Sequence, residues 1–292
     1  MLSNNSKTRV LFFGTPAFTL PALERLAADT RWQIVGVVTQ PDKPAGRKQQ
    51  LTAPAAKVTA AKLGLPVFQF PTLKDQAALQ TIVSLNADVA VVVAYGKIIP
   101  AVILDSIPHG FLNIHPSMLP KYRGSSPIQS AMLAGERTTG VTVMILDAET
   151  DHGPILAQRE VNILDDDTSE SLHYSLACEG ADLLLAVLPD YLDGKLKPTP
   201  QDHTAATFTE QLEKDDGKID WRMSAEAIDR HIRAMTPWPG AWTDITGKRV
   251  KVLKAHLVDQ GLHLDVVQAE GKQPMDYGTY LRGNLPLQPE DQ

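Results

Sequence analysis

The sequence predicts an α/β fold: a Rossmann-like, mostly parallel sheet with helices on both faces, followed by a smaller β-rich domain. Two patterns carry that expectation. Through the first two-thirds of the chain, short β-branched runs alternate with helical periodicities, and the runs are apolar almost throughout. Strands buried on both faces have that character, and strand–helix alternation places them in one sheet. From Trp242 onward the pattern changes to polar–apolar alternation broken by glycine-containing turns, the mark of short strands.

In chain order the strand candidates are Arg9–Phe13, Ile34–Thr39, Val89–Ala94, Phe111–His115 and Val141–Leu146. Helical patterns occupy Leu20–Ala28, Ala55–Leu63, Asp75–Leu85, Pro127–Ala134 and Ser169–Leu188. In Pro189–Pro200, proline, glycine and charge displace periodic hydrophobics, so this stretch reads as a linker. Beyond it Gly217–Thr236 carries one helix, and Trp242–Ile245, Arg249–Leu253 and Leu262–Val267 are the short strands. The expected division is a first domain over 1–188, a linker over 189–206 and a β-rich domain over 207–292. The 292 residues suit two domains of ordinary size.

With 43% hydrophobic residues the chain has enough apolar material for a core, which excludes a disordered protein. A net charge of −6 excludes coating nucleic acid or anionic membrane by charge alone. The single cysteine, Cys178, excludes an intrachain disulfide framework and a cysteine-cluster zinc site, and the histidines show no ligand spacing, so no metal is expected. MLSNNSKTRV lacks the apolar core of a signal peptide and no 18-residue uncharged apolar run follows, so a cytoplasmic protein without a membrane partner is expected. Charge is unevenly placed. Asp147–Asp193 holds twelve acids and one arginine. Pro41–Lys62, with Lys43, Arg47 and Lys48, is net +4, and Arg230–Lys254, with Arg249 and Lys251, is net +5. Two basic segments in an acidic protein fit either a phosphate-tracking surface or solvated loops and helix faces.

The first strand-to-helix turn, Gly14-Thr15-Pro16-Ala17-Phe18, has one glycine. It lacks the G-x-G-x-x-G approach to a pyrophosphate, and the Walker lysine loop is missing too, which excludes NAD and ATP at their usual place. The informative stretch is Phe111–Gln129. Asn113 and His115 are two apart on a strand and share one face. Pro116 ends that strand, so the pair sits at its carboxyl end, where open α/β sheets bind ligands. An amide donor beside an imidazole suits a carbonyl whose oxygen gains negative charge under attack; a satisfied structural pair is the other reading. In Val141–Ile155 a buried strand opens into a loop with Asp147, Glu149 and Asp151, any of which could orient an imidazole. Spacing does not choose among them. Val93–Pro100 is a strand end opening into an apolar, glycine-containing loop, either the wall of a flat heteroaromatic site or an ordinary connection.

Taken together these segments fall into a known order. They are FFGTPAF at Phe12–Phe18, VVTQPDKPAGR at Val37–Arg47, VVVAYGKIIP at Val91–Pro100, NIHPSMLPKYRGSSPIQ at Asn113–Gln129 and TGVTVMILDAETDHGPIL at Thr139–Leu156. IDW at Ile219–Trp221 and IRAMTPWPGAW at Ile232–Trp242 follow. Over nearly its whole length the chain resembles the formyltransferases that use 10-formyltetrahydrofolate. PDKPAGR and the tryptophan-rich second domain resemble the branch of that family that acts on a tRNA.

The resemblance implies that Asn113, His115 and Asp151 form the catalytic triad. It implies that Ser117, Met118, Leu119 and Pro120 border the folate, and that Tyr95, Gly96, Lys97 and Ile98 form the pterin-pocket loop. Arg47, flanked by Lys43 and Lys48, matches an inserted loop that meets the tRNA acceptor end. The second domain matches an OB-like barrel whose basic face, with Arg249 and Lys251, would follow the tRNA backbone. The implied reaction passes the formyl group of 10-formyltetrahydrofolate to the α-amino group of methionyl-initiator tRNA, in a monomer that needs no metal. A family member with another acceptor, an amino-sugar nucleotide or water, would carry the same triad. Two departures stand out: Lys48-Gln49-Gln50 follows Arg47 where the family commonly has a glycine and two lysines, and the span from Lys254 to Leu262 is short. The short span implies a barrel missing one hairpin, or one whose edge Tyr277–Leu281 covers.

Overall fold

The computed structural model describes residues 7–45, 49–259 and 261–287. The strands of the first two-thirds are β1 (Thr8–Gly14), β2 (Trp32–Thr39), β3 (Lys43–Ala45), β4 (Gln50–Thr52), β5 (Val67–Gln69), β6 (Val89–Val93), β7 (Phe111–His115), β8 (Arg123–Gly124), β9 (Thr138–Ile145) and β10 (Ile155–Asn162). Then come β11 (Phe208–Thr209), β12 (Trp242–Ile245), β13 (Lys248–Val258), β14 (Gly261–Ala269) and β15 (Met275–Asp276). The helices are α1 (Leu20–Ala28), α2 (Ala55–Lys62), α3 (Gln76–Ser84), α4 (Ala101–Leu104), α5 (Pro127–Leu133), α6 (Ser169–Leu192), α7 (Ala225–Met235) and α8 (Tyr277–Leu281).

The chain divides into two compact units whose segments interleave. The first takes the chain through Arg123, then Gly140–Glu160 and Tyr174–Thr207; the second takes Gly124–Thr139, Val161–His173 and the chain from Phe208. The main sheet has seven strands in the order β10-β9-β7-β6-β1-β2-β5. From β7 to β5 all neighbours are parallel, and β9 runs antiparallel to β7. Central strands β1 and β6 are apolar at nearly every position because both faces are covered. On one face Leu11, Phe13, Val38, Val92 and Phe111 pack into a core with Tyr95, whose ring meets Phe13 edge-on at 5.4 Å.

From Ala157 onward strand β10 alternates half-buried and exposed residues and includes Gln158, Arg159 and Glu160, so it lacks the apolar run that marks the central strands. It lies at the sheet's edge, where one face is wet. Ile155 at its start exchanges two backbone hydrogen bonds with Thr199, each 2.8 Å, so the chain beyond α6 touches that edge at one residue. Helix α6 runs past the expected stop at Leu188, through Pro189 to Leu192. A proline in the last turn forfeits a single i→i−4 bond, and the helix closes at Gly194, whose φ of +72° suits a C-terminal cap.

In the second unit β12, β13, β14 and β15 form an antiparallel meander in that order. Strand β13 extends beyond the expected Leu253 because Lys254, His256 and Leu257 continue the ladder with β14 while facing solvent. The amphipathic α7 begins at Ser224, whose hydroxyl accepts the amide of Ala227. It buries Ile228, Ile232 and Met235 against Val250, Val252, Leu264 and Val267. Tyr277 and Tyr280 of α8 join the same core, and β13 and β14 stay paired as far as Val258 and Gly261.

Candidate active site

Asn113 and His115 project from one face of β7, between β6 and β9: Asn113 is paired with Val92 on one side and Met144 on the other. Both side chains are buried, with 9% and 4% exposure. Nε2 of His115 lies 2.9 Å from the carbonyl oxygen of Tyr122. A carbonyl only accepts, so Nε2 carries the proton of that bond. Nδ1 faces Oδ2 of Asp151 at 3.5 Å, an electrostatic separation longer than a good hydrogen bond.

Asp151 reaches that position by folding back. The loop after β9 starts where Ile145 is paired with Leu112 and the Leu146 amide donates to the Phe111 carbonyl at 2.8 Å. His115 is three residues further along β7, so the loop must return by about 10 Å. It turns at Asp151, whose φ of +47° is left-handed. Gly153 closes the return: a Cβ there would sit 1.9 Å from the Ile145 carbonyl oxygen, so only glycine fits. The carboxylate of Asp147 is used elsewhere. It takes Nδ1 of His152 at 2.6 Å and the Glu149 amide at 3.0 Å.

The segment from Ser117 to Pro120 is fixed from beneath by Thr142 of β9, whose hydroxyl donates to the Ser117 carbonyl at 2.7 Å and accepts the Leu119 amide at 3.2 Å. Gln158 donates to the same hydroxyl and to the Leu119 carbonyl, at 2.9 and 2.8 Å. Ser117 is fully buried and its own hydroxyl donates to the Lys121 carbonyl, so this side chain braces the loop. Leu119 is buried as well, while Met118 and Pro120 are partly exposed.

In the second loop the Tyr95 ring turns into the core. Its hydroxyl is buried without a hydrogen-bond partner among the described residues, and burial pushes its pKa up to about 12. The main chain holds the loop: the Tyr95 carbonyl accepts Thr15 Oγ1 and Gln40 Nε2, both at 2.9 Å, and Gln40 also reaches the Gly96 carbonyl at 3.1 Å. Lys97 donates to the carbonyls of Phe70 and Pro71. Ile98 is 87% exposed, an apolar side chain left open to whatever lies against the loop.

Of the basic residues, Lys43 donates to Oε1 of Gln40 at 2.7 Å, which ties the β3 end of the basic loop to the Tyr95–Gly96 turn. Arg47 and Lys48 lie outside the described residues. In the second unit Arg249 lies over the Trp242 ring at 3.6 Å and 3.8 Å from Asp215, with its side chain 43% exposed; Lys251 runs beside Gly240. Sequence reasoning passed over Gln40, Tyr122, Arg123, Thr142, Gln158 and Gln201. Gln40, Tyr122, Arg123 and Thr142 lie inside the quoted motifs, but their hydrogen bonds, like those of Gln158 and Gln201, join segments that only the fold brings together. Among the described residues no group of three or more His, Cys, Asp or Glu could hold a metal ion, and no helix is long and apolar enough to cross a membrane.

Residues 7–188 match the formyl transferase family and residues 211–264 its C-terminal domain. The methionyl-tRNA formyltransferase of Roseiflexus castenholzii is 44% identical over 299 residues, covering 94% of this chain and 96% of that one. That of Chloroflexus aurantiacus is 49% identical over 247 residues, 85% of this chain and 79% of its own. The chain belongs to the methionyl-tRNA formyltransferase family. Solved structures share the fold. The methionyl-tRNA formyltransferase from Clostridium thermocellum superposes with a TM-score of 0.63 at 15% identity, covering 90% of this chain and 98% of that one. The Helicobacter canadensis N-formyltransferase, in complex with folinic acid and dTDP-3-aminofucose, gives 0.67 at 17%, covering 87% and 89%. In this member of the methionyl-tRNA formyltransferase family the Asn113–His115 face lies within the first matched segment.

Proposed function

We propose that the protein transfers the formyl group of 10-formyltetrahydrofolate to the α-amino group of methionyl-initiator tRNA, as a cytoplasmic monomer. One observation carries this reading: two buried polar side chains, Asn113 and His115, share a face at the carboxyl end of β7, with the Asp151 carboxylate 3.5 Å from the imidazole. Membership of the family supplies the substrates.

Chemistry follows from the groups present. The attacking α-amine is reactive when neutral, which is accessible because such amines titrate near pH ~8. As it adds to the formyl carbon, negative charge grows on the formyl oxygen. The Asn113 amide donates a hydrogen bond to that oxygen, and in a site this buried such a bond is stronger than in water. The amine nitrogen must lose a proton and the departing folate nitrogen must gain one. Nδ1 of His115 is the ring atom free of the Tyr122 bond, so it handles that transfer while the Asp151 carboxylate balances its charge. The Ser117–Pro120 and Tyr95–Ile98 segments border the folate, the first held by Thr142 and Gln158, the second by Gln40. Lys43, Arg47 and Lys48, with Arg249 and Lys251 in the second unit, meet the phosphates of the tRNA.

The test is direct. Purified protein is given 10-formyltetrahydrofolate and methionyl-initiator tRNA, and formylmethionyl-tRNA is measured beside folate breakdown without tRNA. Formylation that depends on the tRNA is expected. Rapid hydrolysis of the donor alone, or preferential transfer to an amino-sugar nucleotide, would overturn the assignment.

A further inference from the structure

The left-handed backbone at Asp151 is one that residues with a side chain rarely adopt, so its surroundings must hold it. The holding group is Gln201. Its side chain is buried, and its amide nitrogen donates to the carbonyls on either side of the turn, Asp151 at 2.9 Å and Gly153 at 2.7 Å. Its oxygen accepts two bonds from the guanidinium of Arg123, Nη2 at 2.6 Å and Nε at 3.2 Å. Arg123 is itself only 3% exposed. Its Nη2 also meets Nδ1 of His203 at 2.9 Å, and the His203 ring stacks on His152 at 4.0 Å with planes 3° apart. His152 in turn is bound to Asp147, at the opposite end of the same loop. The turn is therefore gripped from both ends.

Tyr122, the neighbour of Arg123, holds the other partner of the pair. Its carbonyl accepts Nε2 of His115, and its own φ is left-handed at +59°. Thr207 anchors both residues: its hydroxyl accepts the Tyr122 amide and its carbonyl the Arg123 amide, each at 2.8 Å. One dipeptide thus fixes the imidazole through Tyr122 and, through Arg123 and Gln201, the backbone that carries the carboxylate.

We propose that Arg123 and Gln201 are positioning residues that set where the Asp151 carboxylate stands relative to the His115 imidazole. This rests on the function proposed above and adds a chain of command to it: neither residue touches the substrate, and both act through Asp151. Substituting buried residues of this kind lowers turnover without changing substrate affinity, because the groups that bind folate and tRNA stay in place.

The experiment is a double-mutant cycle on the full chain, with formylation of methionyl-tRNA as the readout. Gln201→Leu removes both donors and the acceptor. Gln201→Glu keeps the acceptor for Arg123 and loses the donors, and serves if the first variant does not fold. In either variant kcat is expected to fall by about 10–100-fold, with KM for both substrates within about threefold and an unchanged circular dichroism spectrum. In an Asp151→Asn background the same change should lower kcat by less than about threefold, because a residue acting through another has nothing further to lose. Retention of wild-type kcat, a KM effect in place of a kcat effect, or an equal loss in both backgrounds would overturn the proposal. Failure of the wild-type protein to formylate methionyl-tRNA would instead overturn the functional assignment, so the two failures are distinct.

Discussion

Nδ1 of His115 stands 3.5 Å from Oδ2 of Asp151, while the ring's other nitrogen is committed to the carbonyl of Tyr122. Only one edge of the imidazole is therefore available for proton transfer, and it is the edge facing the carboxylate. Replacing His115 with alanine removes that group, and kcat for formyl transfer is expected to fall by at least about 10²-fold. Asn113→Ala removes the amide donor and is expected to cost about 10²–10³-fold, as for one oxyanion donor. Both are checked at saturating folate and tRNA. A variant that keeps most of its turnover number would remove that residue from the chemistry.

Thr142 is buried and joins the Ser117 carbonyl, the Leu119 amide and the Gln158 amide through one hydroxyl. Thr142→Val keeps the shape and orphans the Ser117 carbonyl and the Leu119 amide, while Gln158 keeps its bond to the Leu119 carbonyl. A loss of about 1–3 kcal/mol in urea unfolding is expected, accompanied by a higher KM for the folate donor. Thr142→Ser should restore most of both.

Tyr95 is expected to behave in the opposite way. Its hydroxyl is buried without a partner among the described residues, so Tyr95→Phe should leave stability at neutral pH unchanged or raise it by about 1 kcal/mol. The pH dependence has a definite sign. Burial lifts the phenol from 10.0 to about 12, so above pH 10 the unfolded chain loses this proton while the folded protein keeps it. The unfolded state then binds fewer protons, and stability falls as pH rises from 10 towards 12. Urea unfolding from pH 9 to 11 should show a shallower fall in Tyr95→Phe than in the parent. Parallel curves would disprove this account.

Arg249 and Lys251 share a strand but not a role. The Arg249 guanidinium lies over Trp242, so Arg249→Ala is expected to cost up to about 1 kcal/mol of stability. Lys251→Ala should spare stability. Each should reduce the slope of log affinity for tRNA against log salt by about 0.7–0.9 if it neutralises one phosphate. A variant with an unchanged slope does not touch the tRNA backbone.

The sheet and its reactive strand were legible because apolar runs and a terminating proline are local signals. Phe111–His115 is a strand in the fold as in the sequence, and the shared face of Asn113 and His115 follows from a two-residue spacing. The partner of that imidazole was not legible from spacing. Asp147 and Asp151 sit in the same acidic loop, and what separates them is a backbone reversal stabilised by Gln201, some fifty residues away in the chain. Strand β10 escaped notice for a related reason: one wet face dilutes its hydrophobic pattern. The outer half of β13 is hidden in the same way by Lys254 and His256, whose place in the ladder comes from pairing with β14.

The Ile155–Thr199 bridge bears on where this chain can be cut. A version ending at residue 188, the limit of the first matched segment, would lose Thr199 and leave the amide and carbonyl of Ile155 unpaired at the start of an outer strand. Free main-chain groups on an outer strand recruit further copies, so that shortened protein is expected to aggregate more readily than one that keeps Thr199 in place.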